Sequence, residues 1–167
     1  MTTNTPGTTS TREATIVVDD KVPAVRIIRE FDAPAEKVFR AHTDPELFAQ
    51  WCGPRSLTTT IDQWDCRTGG SWRYVASEGG EDYAFFGSFH VVRGSELIIQ
   101  TFTYEGMPDA VALERLELED LGNGRTRLVS MSLVDSFEGR DAFVASGMEV
   151  GVQEGYQKLD ELLATGI

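Results

Sequence analysis

The sequence predicts an α+β domain in which a curved antiparallel sheet wraps around a long C-terminal helix, and three observations predict it. Between Leu57 and Val134, apolar and β-branched segments recur at short intervals with Gly-rich turns between them, the pattern of an antiparallel meander. Beyond them the period changes. Val144, Met148, Val152, Tyr156, Leu159 and Leu163 recur at helical steps of three or four, an apolar stripe on one long helix. Beside that stripe runs a second row, Gly147, Gly151 and Gly155. An internal glycine costs a helix about 1 kcal/mol relative to alanine, so the row serves either close packing of the helix on the sheet or a space left beneath it.

The elements follow in order. Residues 1–12 are rich in Thr with Pro and Gly, offer nothing to bury, and read as a flexible tail before a single domain over residues 13–167. A strand of β-branched residues spans 24–31, with Val25, Ile27 and Ile28. Asp32 is the expected N-cap, with Pro34 in the first turn, of a short helix over residues 35–41. Thr43-Asp44-Pro45 repeats that signal and starts a second short helix through Phe48 to Trp51, which Gly53-Pro54 stops. Strands are expected at residues 57–65, 71–76, 83–92, 96–104, 111–119 and 125–134. The Gly69-Gly70, Gly79-Gly80 and Gly94-Ser95 turns separate earlier strands, and Gly122-Asn123-Gly124 joins the last pair because Asn-Gly tolerates positive φ.

Composition bounds the function. A chain of 167 residues fits one domain, and burial of roughly two-thirds of its unfolded surface gives it a real core. Its 27 acidic against 15 basic side chains leave a net charge of −12, which argues against nucleic acid as the main partner and against docking on an anionic membrane. No apolar run approaches the ~18 residues of a membrane span. The N-terminus lacks the basic start and apolar stretch of a secretory signal. Cys52 and Cys66 form no Cys-x-x-Cys pair and have no His cluster around them, so neither a disulfide framework nor a structural metal site is expected. The expected setting is the cytoplasm, and the expected state a monomer or homodimer with no cofactor and no metal.

Catalytic signatures are missing. There is no Gly-x-Ser-x-Gly, no phosphate-binding Gly-x-x-x-x-Gly-Lys and no His-Glu-x-x-His. His42 closes a short helix and reads as a capping or surface residue, while His90 sits in a strand. Glu117, Glu119 and Asp120 look like a solvated face; Glu114, Asp135 and Glu149 are the candidates to point inward, though nothing in the sequence pairs them. The aromatic residues carry more. Trp72 and Tyr74 share one strand face by the period-two rule, as do Phe102 and Tyr104. With Trp51, Phe86, Met148 and Val152 they are the expected lining of a mostly apolar cavity between sheet and helix, the usual make-up of a small-molecule site. The competing reading is that they fill the core.

Several segments form a recognisable set: Phe31-Asp32-Ala33-Pro34, Asp44-Pro45-Glu46-Leu47 leading to Trp51 and Gly53-Pro54, and Asp65-x-Arg67-x-Gly69-Gly70-x-Trp72. Gly87, Leu97, Gly124-x-Thr126-x-Leu128 and Gly151-x-x-x-Gly155-Tyr156-x-x-Leu159-x-x-Leu162 follow them. Together they resemble the bacterial SRPBCC proteins of the activator of Hsp90 ATPase homologue (AHSA1-like) family, within the START/Bet v 1-like superfamily. The resemblance spans Val25 to Leu163. It implies a helix-grip fold with a cavity between sheet and C-terminal helix. It also implies a hydrophobic ligand such as a lipid, sterol or polyketide, with chemistry on that ligand in some members. Asp65, Arg67, Gly69 and Gly70 carry over as structural residues of a tight turn. Two positions depart from the family pattern, which often has an aromatic residue where Val152 and Cys52 stand; either the smaller residue at 152 enlarges the cavity or a neighbour fills the gap.

Three functions are therefore expected, in this order. The first is a binding protein for a hydrophobic, aromatic or lipid-like small molecule. The second is a cofactor-free enzyme of the polyketide cyclase or aromatase type, with Tyr74, Tyr104 or His90 facing the cavity. The third is a chaperone-regulating partner module, which needs an exposed apolar patch instead of a pocket. The expectation of a single domain, without the separate N-terminal domain of the eukaryotic co-chaperones, weighs against this third function.

Overall fold

The structure is a computed structural model and describes residues 12–167, so the expected tail lies, apart from Arg12, outside the described residues. Eight strands form one antiparallel sheet: β1 (Thr15–Val18), β2 (Ala24–Phe31), β3 (Thr58–Trp64), β4 (Ser71–Glu78), β5 (Glu81–Arg93), β6 (Leu97–Tyr104), β7 (Ala112–Gly122) and β8 (Arg125–Leu133). Their order is β1-β2-β8-β7-β6-β5-β4-β3, so β3 to β8 form a meander and the N-terminal hairpin joins it beside β8. Irregularities at Ile61/Gln63, Phe89/Val91 and Asp120/Gly122 shift the register. Such bulges increase local twist and help a sheet curl.

The meander follows the strand expectations closely. β1 has no counterpart among them: four residues carry too little pattern, and pairing with β2, Thr15 opposite Ile28 through Val18 opposite Val25, makes the strand. In β4 the alternation is clean, with Trp72, Tyr74 and Ala76 buried. Gly87 stands opposite Trp72. A Cβ there would lie 1.9 Å from the Thr101 carbonyl oxygen and 2.8 Å from the Trp72 ring, so only glycine lets the strand pass.

The helices are α1 (Ala35–Thr43), α2 (Pro45–Trp51), α3 (Phe137–Ala145) and α4 (Met148–Ala164). Asp44 caps α2 as expected, accepting from the backbone N–H groups of Glu46 (3.0 Å) and Leu47 (3.4 Å). Asp32 does not cap α1. The N-cap position is Pro34, with no side-chain bond, and Asp32 instead pairs with Arg12 at 2.7 Å.

The single long C-terminal helix is also corrected. Gly147 takes a left-handed conformation (φ +86°), which an α-helix interior does not admit, and it divides α3 from α4. Ser136 starts α3 by accepting from the Gly139 N–H at 3.0 Å. Val144 thus belongs to a separate, largely exposed helix, while Tyr156, Leu159 and Leu163 of α4 are buried against the sheet.

The core lies between α1, α4 and the β2–β8–β7 part of the sheet, where Phe31, Val38, Ala41, Leu128 and Leu159 are fully buried. A buried charge pins α4 there. The Arg29 guanidinium on β2, 1% exposed, forks onto Asp160 of α4 at 2.8 and 2.5 Å. It also donates to the carbonyls of Glu30 (2.8 Å) and Arg12 (3.1 Å) and lies over the Phe31 ring. This closes the helix against the β2–β8–β7 side of the sheet. The opposite half, β3 to β6, stands away from α4 and leaves a space.

Candidate functional site

That space is a hollow of about 390 Å³ between the concave face of the sheet, the end of α2, and α4. Its walls are aromatic because inward positions of adjacent strands fall in register. Tyr74 stands opposite Phe85, and Trp72 packs its ring against Tyr74 (5.4 Å between centroids) and Phe102 (5.7 Å). Phe48 and Trp51 of α2 and Trp64 of β3 close one side. Met148, Gly151, Val152, Gly155 and Tyr156 of α4 form the roof, and Phe143 of α3 contributes at its margin.

Of the eight cavity residues expected from the sequence, Trp51, Trp72, Tyr74, Phe102, Met148 and Val152 line the hollow. Phe86 does not. It follows Phe85 in β5, so alternation turns it to the convex face, where it is 39% exposed. Tyr104 shares the face of Phe102 but lies one step further along β6, with its ring against Phe85 and Tyr83 and outside the hollow. His90 is exposed at the Phe89/Val91 irregularity. Of the three candidate inward carboxylates only Glu114 turns in; Asp135 and Glu149 are exposed.

The glycine row packs α4 closely, but against a different partner from the expected sheet, and two of its members border the hollow. A Cβ on Gly155 would lie 3.2 Å from the Trp51 carbonyl oxygen and 3.5 Å from Gly53, while one on Gly151 would lie 3.6 Å from Pro54. The two glycines therefore bring α4 close to the end of α2 and the loop after it, not to the sheet, and both border the hollow. The Asp65–Arg67 pair (3.0 Å) and Gly69 (φ +86°) shape the turn before β4. A Cβ on Gly70 would meet the Asp65 carbonyl oxygen at 1.9 Å.

Polar groups in the hollow are few and specific. The indoles of Trp51 and Trp64 donate to the carbonyls of Ala41 (2.8 Å) and Thr43 (2.7 Å), so they tie the hollow's wall to α1. The Trp72 indole N–H is buried and has no partner. Gln100, Glu114 and Ser132 align in register across β6, β7 and β8 and form a polar line on an otherwise apolar floor. Gln100 Nε2 donates to Glu114 Oε1 at 3.0 Å and Ser132 Oγ to Oε2 at 2.7 Å. Burial pushes the Glu114 carboxyl above the usual carboxylate range, against the pull of its two donors. The part of Glu114 that remains exposed borders the hollow.

His42, expected at the surface or as a cap, is buried and lines the hollow. Its Nδ1 donates to the Val38 carbonyl at 2.7 Å, while Nε2 has no partner; burial holds its pKa down at about 4. Burial likewise pushes the Cys52 thiol up to about 11 and raises Tyr74 and Tyr156. At neutral pH all four are uncharged.

Sequence reasoning missed Gln100, Ser132 and the inward role of His42. Gln100 and Ser132 become visible only once strand register is known, because each alone is an ordinary polar residue in a strand. Among the described residues, no three His, Cys, Asp or Glu side chains gather to hold a metal ion. No described helix is long and apolar enough to cross a membrane.

A family model described as Activator of Hsp90 ATPase homolog 1-like protein matches residues 32–164. No curated protein matches the sequence. Among solved structures, the fold is similar to a protein from Arthrobacter aurescens studied by solution NMR (TM-score 0.83, 23% identity, covering 90% of this chain and 91% of that one). A crystal structure of a protein from Rhodobacter sphaeroides is similar with TM-score 0.82 and 26% identity, covering 93% and 100% of the two chains. DynU16, a protein in the dynemicin biosynthetic locus, shares the fold at TM-score 0.62 and 20% identity, covering 86% of this chain and 48% of that one.

Proposed function

The chain belongs to the Activator of Hsp90 ATPase homolog 1-like family, and from that premise we propose that it binds a small, largely apolar molecule with aromatic faces in the hollow. The observation that carries this reading is an aromatic-walled space of about 390 Å³ whose lining includes Trp72, a residue with a buried, unpartnered indole N–H. A buried donor without a partner costs about 1–3 kcal/mol. A ligand acceptor placed against it recovers that cost while flat aromatic surface fills the walls, which combines affinity with orientation.

All three tryptophans border the hollow, so intrinsic fluorescence reads occupancy directly. Titration with a broad library of lipids and aromatic compounds is expected to quench the emission and raise the melting temperature, since a ligand at a hundred times its Kd adds about 2.7 kcal/mol. Trp72→Phe keeps an aromatic, though smaller, side chain and removes the donor; it weakens acceptor-bearing ligands by about tenfold. Absence of any quenching or thermal shift across the library overturns the reading.

A second reading, chemistry on the bound molecule without a cofactor, is favoured by Glu114 and His42, two groups able to exchange a proton at one hollow. Mass spectrometry of a bound compound after incubation distinguishes turnover from storage.

A further inference from the structure

We propose that the hollow selects molecules carrying a protonated amine, with Glu114 as the anchor of that cation; this rests on the reading of the hollow as a binding site. The register places Gln100, Glu114 and Ser132 side by side on the floor, and both carboxyl oxygens receive a hydrogen bond, one from each neighbour. Two donors and no acceptor is the arrangement an ionised carboxylate takes. Yet among the described residues Glu114 enters no ion pair.

Its ionisable neighbours do not supply a cation either. Cys52 at the end of α2, Tyr74 on β4 and Tyr156 on α4 are all uncharged at neutral pH, and the Glu114 charge makes each of them a weaker acid still. His42 on α1 is uncharged above pH about 4. Arg115, next to Glu114 in β7, turns its guanidinium to Glu117 at 2.7 Å. Carboxylates taken out of water are ordinarily paired, so the missing member is a cation that arrives with the ligand. An ammonium group fits three ways. It donates to the free lone pairs of Glu114. It lies among the faces of Trp72, Tyr74 and Phe102, which attract cations. It is also drawn by a chain of net charge −12.

The test uses three probes with one ring system, naphthylethylamine, naphthylethanol and naphthylacetate, titrated by calorimetry at neutral pH against the wild type and Glu114→Gln. The wild type is expected to bind the amine about ten- to a hundredfold tighter than the alcohol, the range of a charge-assisted bond, and the acetate weakest. In Glu114→Gln the amine falls to the level of the alcohol and the alcohol is unchanged. In the wild type the amine's advantage also declines as pH falls and Glu114 takes up a proton, an arm that stands even if the variant does not fold. If the alcohol or acetate binds as tightly as the amine, or Glu114→Gln leaves the amine's affinity intact, the amine assignment is overturned and the hollow remains a binding site. If none of the three binds, the amine assignment is overturned, while the reading of the hollow as a binding site falls only if the whole library also fails.

Discussion

His42 offers a quantitative check on how the hollow is built. Its Nδ1 must be the protonated nitrogen, because the Val38 carbonyl 2.7 Å away only accepts. A second proton at Nε2 would put a charge where the structure holds no acceptor. The folded-state pKa of about 4 lies below the ordinary value of 6.5. Between those two values the unfolded chain holds a proton that the folded chain does not, so stability falls as pH is lowered through that window. One pKa unit is about 1.36 kcal/mol, and the difference of about 2.5 units amounts to roughly 3 kcal/mol, complete near pH 4. His42→Asn keeps an amide donor near Nδ1 and removes the titration. Urea unfolding of both proteins at several pH values between about 4 and 7 isolates the effect by subtraction. The subtraction matters because Glu114 has the opposite sign: its raised pKa makes the fold lose stability as pH rises through that value. Parallel pH profiles for wild type and variant would refute the buried, neutral imidazole.

Three further substitutions probe how α4 is held. Gly151→Ala meets only an ordinary contact at 3.6 Å and is expected to stabilise by up to about 1 kcal/mol, whereas Gly155→Ala meets the Trp51 carbonyl at 3.2 Å and loses that gain; equal unfolding midpoints for the two would contradict the packing described. Asp160→Ala strands the Arg29 guanidinium, 1% exposed, and is expected to cost about 2–3 kcal/mol, less than for a wholly buried pair because Asp160 itself is 40% exposed. That corresponds to a melting temperature lower by roughly 5–10 °C in calorimetry, and a change under about 2 °C would show that other contacts hold the helix.

Much of the fold was legible because local chemistry and tertiary structure agree. Asp44-Pro45 starts α2, Gly122-Asn123-Gly124 makes the β7–β8 turn, and Trp72 and Tyr74 alternate inward as the period of two requires. The errors arose where a local signal had two readings. The apolar stripe runs through Gly147 without a break in period, and only its positive φ ends the helix. Asp32 has the composition of a cap, but an arginine claims it. Phe86 and Phe85 are equal as aromatic residues, and strand phase alone puts one inside and the other in solvent. The Gln100–Glu114–Ser132 line was beyond reach for another reason: it is a property of three strands at once, and no segment of the sequence contains it.

The strand order also bears on how the chain reaches this state. Neighbours from β3 to β8 are joined by short turns and can pair early, but β2 pairs with β8 from Ala24–Leu133 to Phe31–Thr126, a separation on the order of a hundred residues. The entropy of closing that loop must be met before its contacts reward it. Until then the face bearing Trp72, Tyr74, Phe85 and Phe102 has no roof, since α4 follows the whole meander in sequence. A half-assembled chain thus displays to its neighbours the same aromatic surface that the finished protein encloses, and such surfaces drive aggregation of folding intermediates. Docking of α4 is therefore both the step that creates the hollow and the step that makes the chain safe at high concentration.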